Sequence, residues 1–144
     1  MNKLNIVTAG LPLASENKGY KTGLQIIKDM NLDGLEVEFV HGVRMNEETQ
    51  QFVKSFTSEN NLKVTCHAPF YINLNSKEEE KIEASIQRIL ETARVGQNIG
   101  AYSITFHAAF YMGKHPDDVF KTVYSAIERI TNTLDEENND IWIR

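Results

Sequence analysis

The sequence predicts an α/β protein with a parallel sheet, made of four successive βα units and the first residues of a fifth strand. Short runs rich in β-branched and aromatic residues alternate with longer stretches that have helical periodicity. The strand-like runs begin near residues 4, 35, 62, 102 and 141. Their starts lie about 27 to 40 residues apart, which is the length of one βα unit.

The composition argues against several classes of protein. The chain has 144 residues, of which 41% are hydrophobic, and the formal net charge is −5. This argues against disorder and against a globally basic protein that coats nucleic acid. One cysteine excludes an internal disulfide framework and indicates a reducing, cytoplasmic setting. No apolar run approaches the roughly 18 residues that span a bilayer, so we expect no membrane partner.

The first unit begins with a strand-like run over residues 4–10. A loop follows, and then a helical stretch in which Leu24, Ile27 and Met30 recur at a spacing of three. Gly34 ends this stretch and begins the next strand.

The second unit begins with a run over 34–40, in which apolar residues alternate with Glu36 and Glu38. A strand would therefore place both carboxylates on one face. After a loop, Asn46 is a candidate N-cap for a helix with an acidic first turn. The apolar side of this helix carries Phe52, Val53 and Phe56.

The third and fourth units repeat the pattern. A run over 62–69 leads to a helix with a candidate capping box at 76–79 and a terminator at Gly100. A run over 102–107 then leads to a helix for which Pro116 is a favoured first residue. The residues predicted to face inward are Ile82, Ile86, Ile89, Leu90 and Ala93 on the third helix and Val119, Phe120, Val123, Ile127, Ile130 and Leu134 on the fourth.

Two arrangements of βα units are compatible with this order, a barrel and a doubly wound sheet. A doubly wound nucleotide binder is expected to carry a Gly-rich turn after the first strand, and only Gly10 is present there. The doubly wound arrangement is therefore less favoured, and the alternative is a TIM (β/α)8 barrel. Such a barrel takes about 250 residues, so we interpret residues 1–144 as a single domain that forms its N-terminal half. An open half-barrel should have an apolar inner face and two exposed edges, which predicts a homo-oligomer.

The carboxyl ends of parallel strands face the ligand site, and two of the predicted ends carry histidine. His67 and His107 follow neighbouring strands, where neutral imidazoles can converge on a divalent metal such as zinc. The alternative is a pair of hydrogen-bonded structural histidines. Glu36 and Glu38 are candidates for a metal ligand, a general base or the partner of Arg44, or else form an ion-paired face.

The loops after these strands contain aromatic residues outside the helical stripes. Phe70 and Tyr71 follow His67, and Phe110 follows His107. Exposed aromatics can stack on bases or wedge between them, although a loop aromatic can also fold onto the barrel rim. His41, at the end of the second strand, could join this site. Cys66 lies inside an apolar strand and is predicted to be an inert core thiol.

The residues at 66–74, Cys-His-Ala-Pro-Phe-Tyr-Ile-Asn-Leu, resemble the third strand end of the endonuclease IV family, the metal-dependent apurinic/apyrimidinic endonucleases within the xylose-isomerase-like barrels. The Phe-His at 106–107 is similar to the end of that family's fourth strand, and residues 34–45 are similar to its archaeal-type branch. The chain departs from the family at Ala108-Ala109, where Pro-Gly is usual.

The resemblance implies hydrolysis of the phosphodiester 5′ of abasic sites in DNA repair. It implies that His67 and His107 are ligands of a three-metal zinc cluster, with manganese as the alternative metal, and that the family's other ligands lie beyond residue 144. We therefore expect this chain alone to be inactive. The resemblance also implies that Phe70 enters the DNA near the lesion and that Arg44 lies on a loop that contacts the DNA. On their chemistry and position, Glu36 and Glu38 are our further candidates for catalysis, and Tyr71, Asn73 and His41 for contact with DNA that contains abasic sites.

Two alternatives stay open. A sugar isomerase or epimerase of the same barrel class would use Glu36 or Glu38 as its base, and the acidic net charge favours it slightly. A non-catalytic, self-associating half-barrel is the other.

Overall fold

The structure, a computed structural model, describes residues 4–16 and 18–144. Within this part of the chain, no helix is both long enough and apolar enough to cross a lipid bilayer. The strands are β1 (Val7–Ala9), β2 (Gly34–Glu38), β3 (Lys63–His67), β4 (Ser103–Thr105) and β5 (Trp142–Ile143). The helices are α1 (Gly19–Asp29), α2 (Glu47–Glu59), α3 (Glu79–Asn98) and α4 (Pro116–Glu136), with a 3-10 turn at Leu13–Ser15.

All five strands are parallel, and their order in the sheet is their order in the chain. Each crossover therefore advances in the same direction. Because βα crossovers are right-handed, this order places every helix on the same face of the sheet. Consecutive helices contact one another in a row, α1 with α2, α2 with α3 and α3 with α4. A doubly wound sheet would reverse direction, so the barrel arrangement is confirmed.

The hydrophobic core lies between the sheet and this row of helices. Leu35, Val37 and Ile104 point into it from the strands and are essentially inaccessible to solvent. Full burial of one such side chain contributes about 1.5–3 kcal/mol. The helices cover them with Leu24, Ile27, Val53, Ile86, Ile89, Leu90, Ala93, Ile130 and Leu134.

The opposite face of the sheet is polar. Thr65 is paired with Glu36 and His67 with Glu38, and partners in parallel strands point to the same side. That side is away from the core residues Leu35 and Val37. The expectation of an apolar inner face is therefore wrong, because the alternation in β2 and β3 assigns the apolar side chains to the helices.

Several predicted helix ends are confirmed. The Asn46 side chain accepts a hydrogen bond of 2.8 Å from the Thr49 amide and so caps α2. Pro116 is the first residue of α4. Gly100 follows α3 in the left-handed region, at φ 77°.

Three predicted features of the helices are wrong. The capping box at 76–79 does not form, because Ser76 Oγ accepts from the Glu78 amide in a turn before α3 begins at Glu79. Phe120 is 69% exposed, because the buried side of α4 runs through other positions. Met30 is 59% exposed, because α1 ends at Asp29 and leaves it outside the helix.

Candidate functional site

The structure brings the two predicted histidines together at the carboxyl edge of the sheet. His67 is the last residue of β3 and is paired with Thr105, the last residue of β4. His107 follows two residues later, on the same side of the strand direction. The centroids of the two imidazole rings are 5.3 Å apart. His67 is half-buried and His107 is exposed, so both can reach a ligand from the open side of the sheet.

The immediate surroundings of His67 suit a metal ligand. Its Nδ1 lies 2.9 Å from the carbonyl oxygen of Ala68. If Nδ1 carries the proton and donates to that carbonyl, Nε2 keeps its lone pair for a metal. Two neutral imidazoles are a donor set that suits zinc. Among residues 4–16 and 18–144, however, no group of three His, Cys, Asp or Glu side chains is placed to hold a metal. A three-metal cluster therefore cannot be built from the described residues alone.

Glu36 and Glu38 lie on the inner face, on the strand next to His67. Thr65 Oγ1 donates a hydrogen bond of 3.2 Å to Glu36 Oε2, which holds that carboxylate against β3. Glu38 is the register partner of His67. A Cβ added at Gly10 would lie 3.3 Å from Glu38 Oε2, so the carboxylate reaches across the end of β1. Glu38 therefore lies within the site, and Glu36 lies two residues earlier in β2, farther from the carboxyl edge of the sheet.

The predicted pairing of Arg44 with these carboxylates is not observed. Arg44 is exposed in the loop after β2, and among the described residues it forms no ion pair with Glu36 or Glu38. Its Nε lies near Gly42, at 3.9 Å from the position a Cβ would take there. The guanidinium is therefore available for an anionic ligand.

Cys66 takes no part in the site. Its side chain points to the helices and is fully buried. Burial, and to a smaller extent the nearby Glu36 carboxylate, raises the pKa of the thiol to about 12. The thiolate, which is the reactive and metal-binding form, is therefore strongly disfavoured at neutral pH. The prediction of a core thiol is confirmed, and its low reactivity stays a prediction.

Side chains in edge-to-face contact support Phe70, which is 55% exposed in the loop after β3. The ring of His41 contacts Phe70 edge to face, with centroids 6.0 Å apart. Phe70 contacts Tyr71 in the same way at 5.2 Å. The guanidinium of Arg88 lies over the Tyr71 ring, 4.6 Å from its centre. Three predicted residues thus form one cluster, and Arg88, which α3 contributes, was not predicted.

Asn73 and Asn75 join the loops that follow β3 and β4. The Asn73 side-chain oxygen accepts hydrogen bonds from the amides of Asn75 and Phe110, at 3.1 Å and 3.3 Å. Asn75 is fully buried, donates to the Phe110 carbonyl at 2.8 Å and accepts from Lys114 Nζ at 2.8 Å. Asn73, predicted to contact DNA, therefore shapes the loops. The role of Asn75 was not predicted, and the only signal for it in the sequence is that a polar residue follows the apolar Leu74.

The loops after β2, β3 and β4 have the opposite charge balance from the whole chain. They contain three cations, Arg44, Lys77 and Lys114, and one carboxylate, Glu78. Glu78 is itself paired with Lys81. The first turns of the helices that follow these loops are acidic, with Glu47 and Glu48 in α2, Glu79 and Glu80 in α3 and Asp117 and Asp118 in α4. The individual loop cations, and not a net positive charge of the edge, are therefore what an anionic ligand would meet here.

Residues 24–144 match a family described as xylose isomerase-like TIM barrel. An uncharacterized protein of Methanocaldococcus jannaschii is 36% identical over 137 residues, which cover 95% of this chain and 48% of that relative. The chain thus spans about half the length of the relative it matches.

Solved structures show the same fold. A D-tagatose 3-epimerase-like protein aligns with a TM-score of 0.74 and 13% identity, covering 97% of this chain and 51% of the other. Endonuclease IV from Thermus thermophilus aligns with a TM-score of 0.62 and 13% identity, covering 88% and 46%. A protein of the same organism, soaked with zinc chloride, aligns with a TM-score of 0.71 and 16% identity, covering 96% and 53%.

Proposed function

The chain belongs to the xylose isomerase-like TIM barrel family, and we propose that within this family its site serves a metal-dependent endonuclease that hydrolyses the phosphodiester 5′ of abasic sites in DNA. His67 and His107 would be two of the metal ligands, with zinc as the metal and manganese as the alternative. Because two imidazoles leave a zinc ion incompletely coordinated, catalysis requires further ligands besides these two.

Two cations in the loops and an exposed aromatic ring at the carboxyl edge of the sheet carry this proposal. A duplex presents phosphates and stacked bases, and an abasic site lacks one base. Arg44 and Lys114 would attract the phosphates, since neither forms an ion pair with a carboxylate among residues 4–16 and 18–144. Phe70 is exposed and held in place by His41 and Tyr71, so it can enter the gap in the stack at little entropic cost.

The reaction is the attack of water on phosphorus with loss of the 3′ oxygen. When bound, zinc lowers the pKa of water and neutralises charge on the phosphoryl oxygens. Glu38, beside His67, would accept a proton from the attacking water. A P–O bond forms to the water oxygen, the bond from phosphorus to the 3′ oxygen breaks, and that oxygen leaves as a hydroxyl after it takes up a proton. Arg44 would keep the backbone in place during the exchange.

Binding of a duplex with a tetrahydrofuran abasic analogue tests the proposal, measured by fluorescence anisotropy in the presence of zinc. We expect tighter binding than to the intact duplex, and we expect Phe70→Ala to lower this preference roughly tenfold. Tyr102→Ala is the matched control, because Tyr102 is 48% exposed at the opposite end of the sheet. Arg44→Gln should reduce the slope of log K against the logarithm of the salt concentration by about one. Equal binding of the two duplexes, or equal effects of the two aromatic substitutions, would contradict the proposal.

Sugar epimerisation is the second candidate, and the position of Glu36 favours it. This carboxylate is half-buried on the inner face and oriented by Thr65, as a base that removes a proton from carbon would need to be. Exchange of the ketohexose C3 proton with deuterated solvent, followed by NMR, separates the two candidates. The endonuclease proposal predicts no exchange, whereas exchange that Glu36→Gln abolishes would establish the alternative.

A further inference from the structure

We propose that Arg44, Tyr71 and Arg88 form a phosphate-binding subsite, separate from the histidine pair. The three residues come from consecutive elements of the chain, the loop after β2, the loop after β3 and α3, so the subsite needs no residue outside the described ranges. It deepens the proposed function, since it names a second group of the DNA that the site would hold. Binding of a phosphate at this place does not itself require that function.

The hydroxyl of Tyr71 is the first donor of the subsite. Tyr71 is 40% exposed, and in the part of the chain that the structure describes its hydroxyl has no hydrogen-bond partner. The ring is held from two sides. Phe70 contacts it edge to face at 5.2 Å, and the guanidinium of Arg88 lies 4.6 Å from its centre. The hydroxyl is thus held in place while its proton is free for a ligand.

Gly42 leaves a space open between this hydroxyl and Arg44. The φ angle of Gly42 is 126°, in the region that favours glycine. A Cβ placed on Gly42 would lie 3.4 Å from Tyr71 Oη and 3.9 Å from Arg44 Nε. The hydroxyl and the guanidinium therefore border the same small space, which a side chain at position 42 would fill. An anionic oxygen in this space would accept hydrogen bonds from both groups.

Both guanidiniums of the subsite are free for an anion. Arg44 is exposed and Arg88 is half-buried. Within the described ranges neither forms an ion pair, although the first turn of α2, close to Arg44 in the chain, is acidic. By contrast, Arg94 on α3 and Arg129 on α4 are both paired with carboxylates. A guanidinium over an aromatic face keeps the N–H donors at its edge, so contact with Tyr71 leaves Arg88 able to bind.

A phosphate suits these donors better than a carboxylate. Guanidiniums bind both anions, but the donors here belong to three separate elements. A phosphate presents oxygens in several directions, whereas the two oxygens of a carboxylate lie in one plane. Because Phe70 contacts Tyr71, a phosphate bound here would lie beside the ring proposed to enter the abasic gap. The DNA backbone is therefore the expected source of the phosphate, and a small phosphorylated molecule is the other source that the experiment separates.

Titration with inorganic phosphate in the absence of zinc tests the subsite, with the arginine Nε–Hε signals followed by NMR. We expect the signals of Arg44 and Arg88 to shift together, and acetate at the same concentration to shift them less. Tyr71→Phe keeps the ring under Arg88 and removes only the hydroxyl, so it should weaken phosphate binding roughly fivefold. Tyr111→Phe, at an exposed tyrosine in the loop after β4, should not. Absence of the shifts, or equal phosphate affinity of the two tyrosine variants, would overturn the proposal.

Binding of the intact and the abasic-analogue duplex identifies the source of the phosphate. Arg88→Gln should weaken both complexes by the same factor, roughly fivefold, because backbone phosphates are present in both duplexes. Arg129→Gln is the matched control, since it removes the same charge from an arginine that is already paired with Glu83. Equal effects of the two arginine variants would refute the DNA backbone as the source and assign the subsite to a small phosphorylated ligand.

The two proposals fail in different ways. Equal affinity of the wild type for the two duplexes would contradict the endonuclease proposal alone, because the expected effect of Arg88→Gln does not depend on the lesion. A preference for the abasic analogue without any phosphate-induced shift of Arg44 and Arg88 would contradict the subsite alone.

Discussion

Replacement of Asn75 by alanine should loosen the loop after β4 and lower the stability of the chain. The side chain is fully buried and makes two short hydrogen bonds that alanine cannot replace, to the Phe110 carbonyl and from Lys114 Nζ, besides a longer one of 3.5 Å to the Tyr111 carbonyl. A net contribution of about 1 kcal/mol for the neutral bond and about 2 kcal/mol for the charged one gives a loss of about 3 kcal/mol in the free energy of unfolding. The free energy of unfolding is measured by urea denaturation, monitored by far-UV circular dichroism.

The same substitution at an exposed asparagine provides the control. Asn132 lies on the exposed surface near the C-terminal end of α4, so Asn132→Ala should change the free energy of unfolding by no more than about 0.5 kcal/mol. Hydrogen exchange should also show faster exchange of the amides at 106–115 in Asn75→Ala alone. A loss below about 1 kcal/mol with unchanged exchange of this loop would refute the reasoning.

Three further predictions concern backbone packing, thiol reactivity and pH. In Gly34→Ala the new Cβ would overlap the backbone carbonyl of the facing β3 residue, so we expect a loss of about 3 kcal/mol or more in urea unfolding. Gly113→Ala, at φ 77° with open space around it, should cost only about 1 kcal/mol. The burial and raised pKa of Cys66 should make its reaction with a disulfide reagent at pH 8 at least about 100-fold slower in the folded than in the urea-unfolded chain, and similar rates would contradict its burial. Hydrogen bonds from Arg94 lower the pKa of Glu137, so their stabilisation is present above the unfolded pKa and is lost as the pH falls through the folded value. Arg94→Gln should therefore be less stable than the wild type at pH 6, the difference should shrink as the pH is lowered below the ordinary pKa of a glutamate, and a difference independent of pH would exclude the ion pair as its cause.

Much of the sheet is predictable because its signals are local. Alternation of apolar and acidic residues in 34–40 predicts a strand with one face toward the core, and Leu35 and Val37 are buried as that pattern requires. Asn46 and Pro116 predict helix starts because a cap and a fixed φ act within one turn. The strands are shorter than their apolar runs, since pairing stops where the neighbouring strand ends.

Features that depend on competition between nearby groups were not predictable. Ser76 has the spacing of a capping box, but its hydroxyl bonds to an amide two residues on and the helix begins later. Phe120 belongs to an apolar pattern wide enough to cover more than one side of α4. The pattern does not show which side of α4 is covered by α3 and the sheet, and Phe120 lies outside the covered side.

The site was predictable only as far as topology determines it. His67 and His107 meet because parallel neighbouring strands end at the same edge. The stacking of Arg88 on Tyr71 and the bonds of Asn75 join loops and helices that are distant in sequence. No local pattern encodes such contacts, because each depends on how both loops fold.

Isothermal titration with zinc chloride tests the central claim most directly, that His67 and His107 form a metal site. The account predicts one zinc ion per chain, with an affinity that falls roughly 100-fold in His107→Ala. It predicts no change in His115→Ala, because His115 is an exposed residue at the start of α4, away from the ring pair. Equal zinc affinity of the wild type and His107→Ala, or equal losses in both histidine variants, would contradict it.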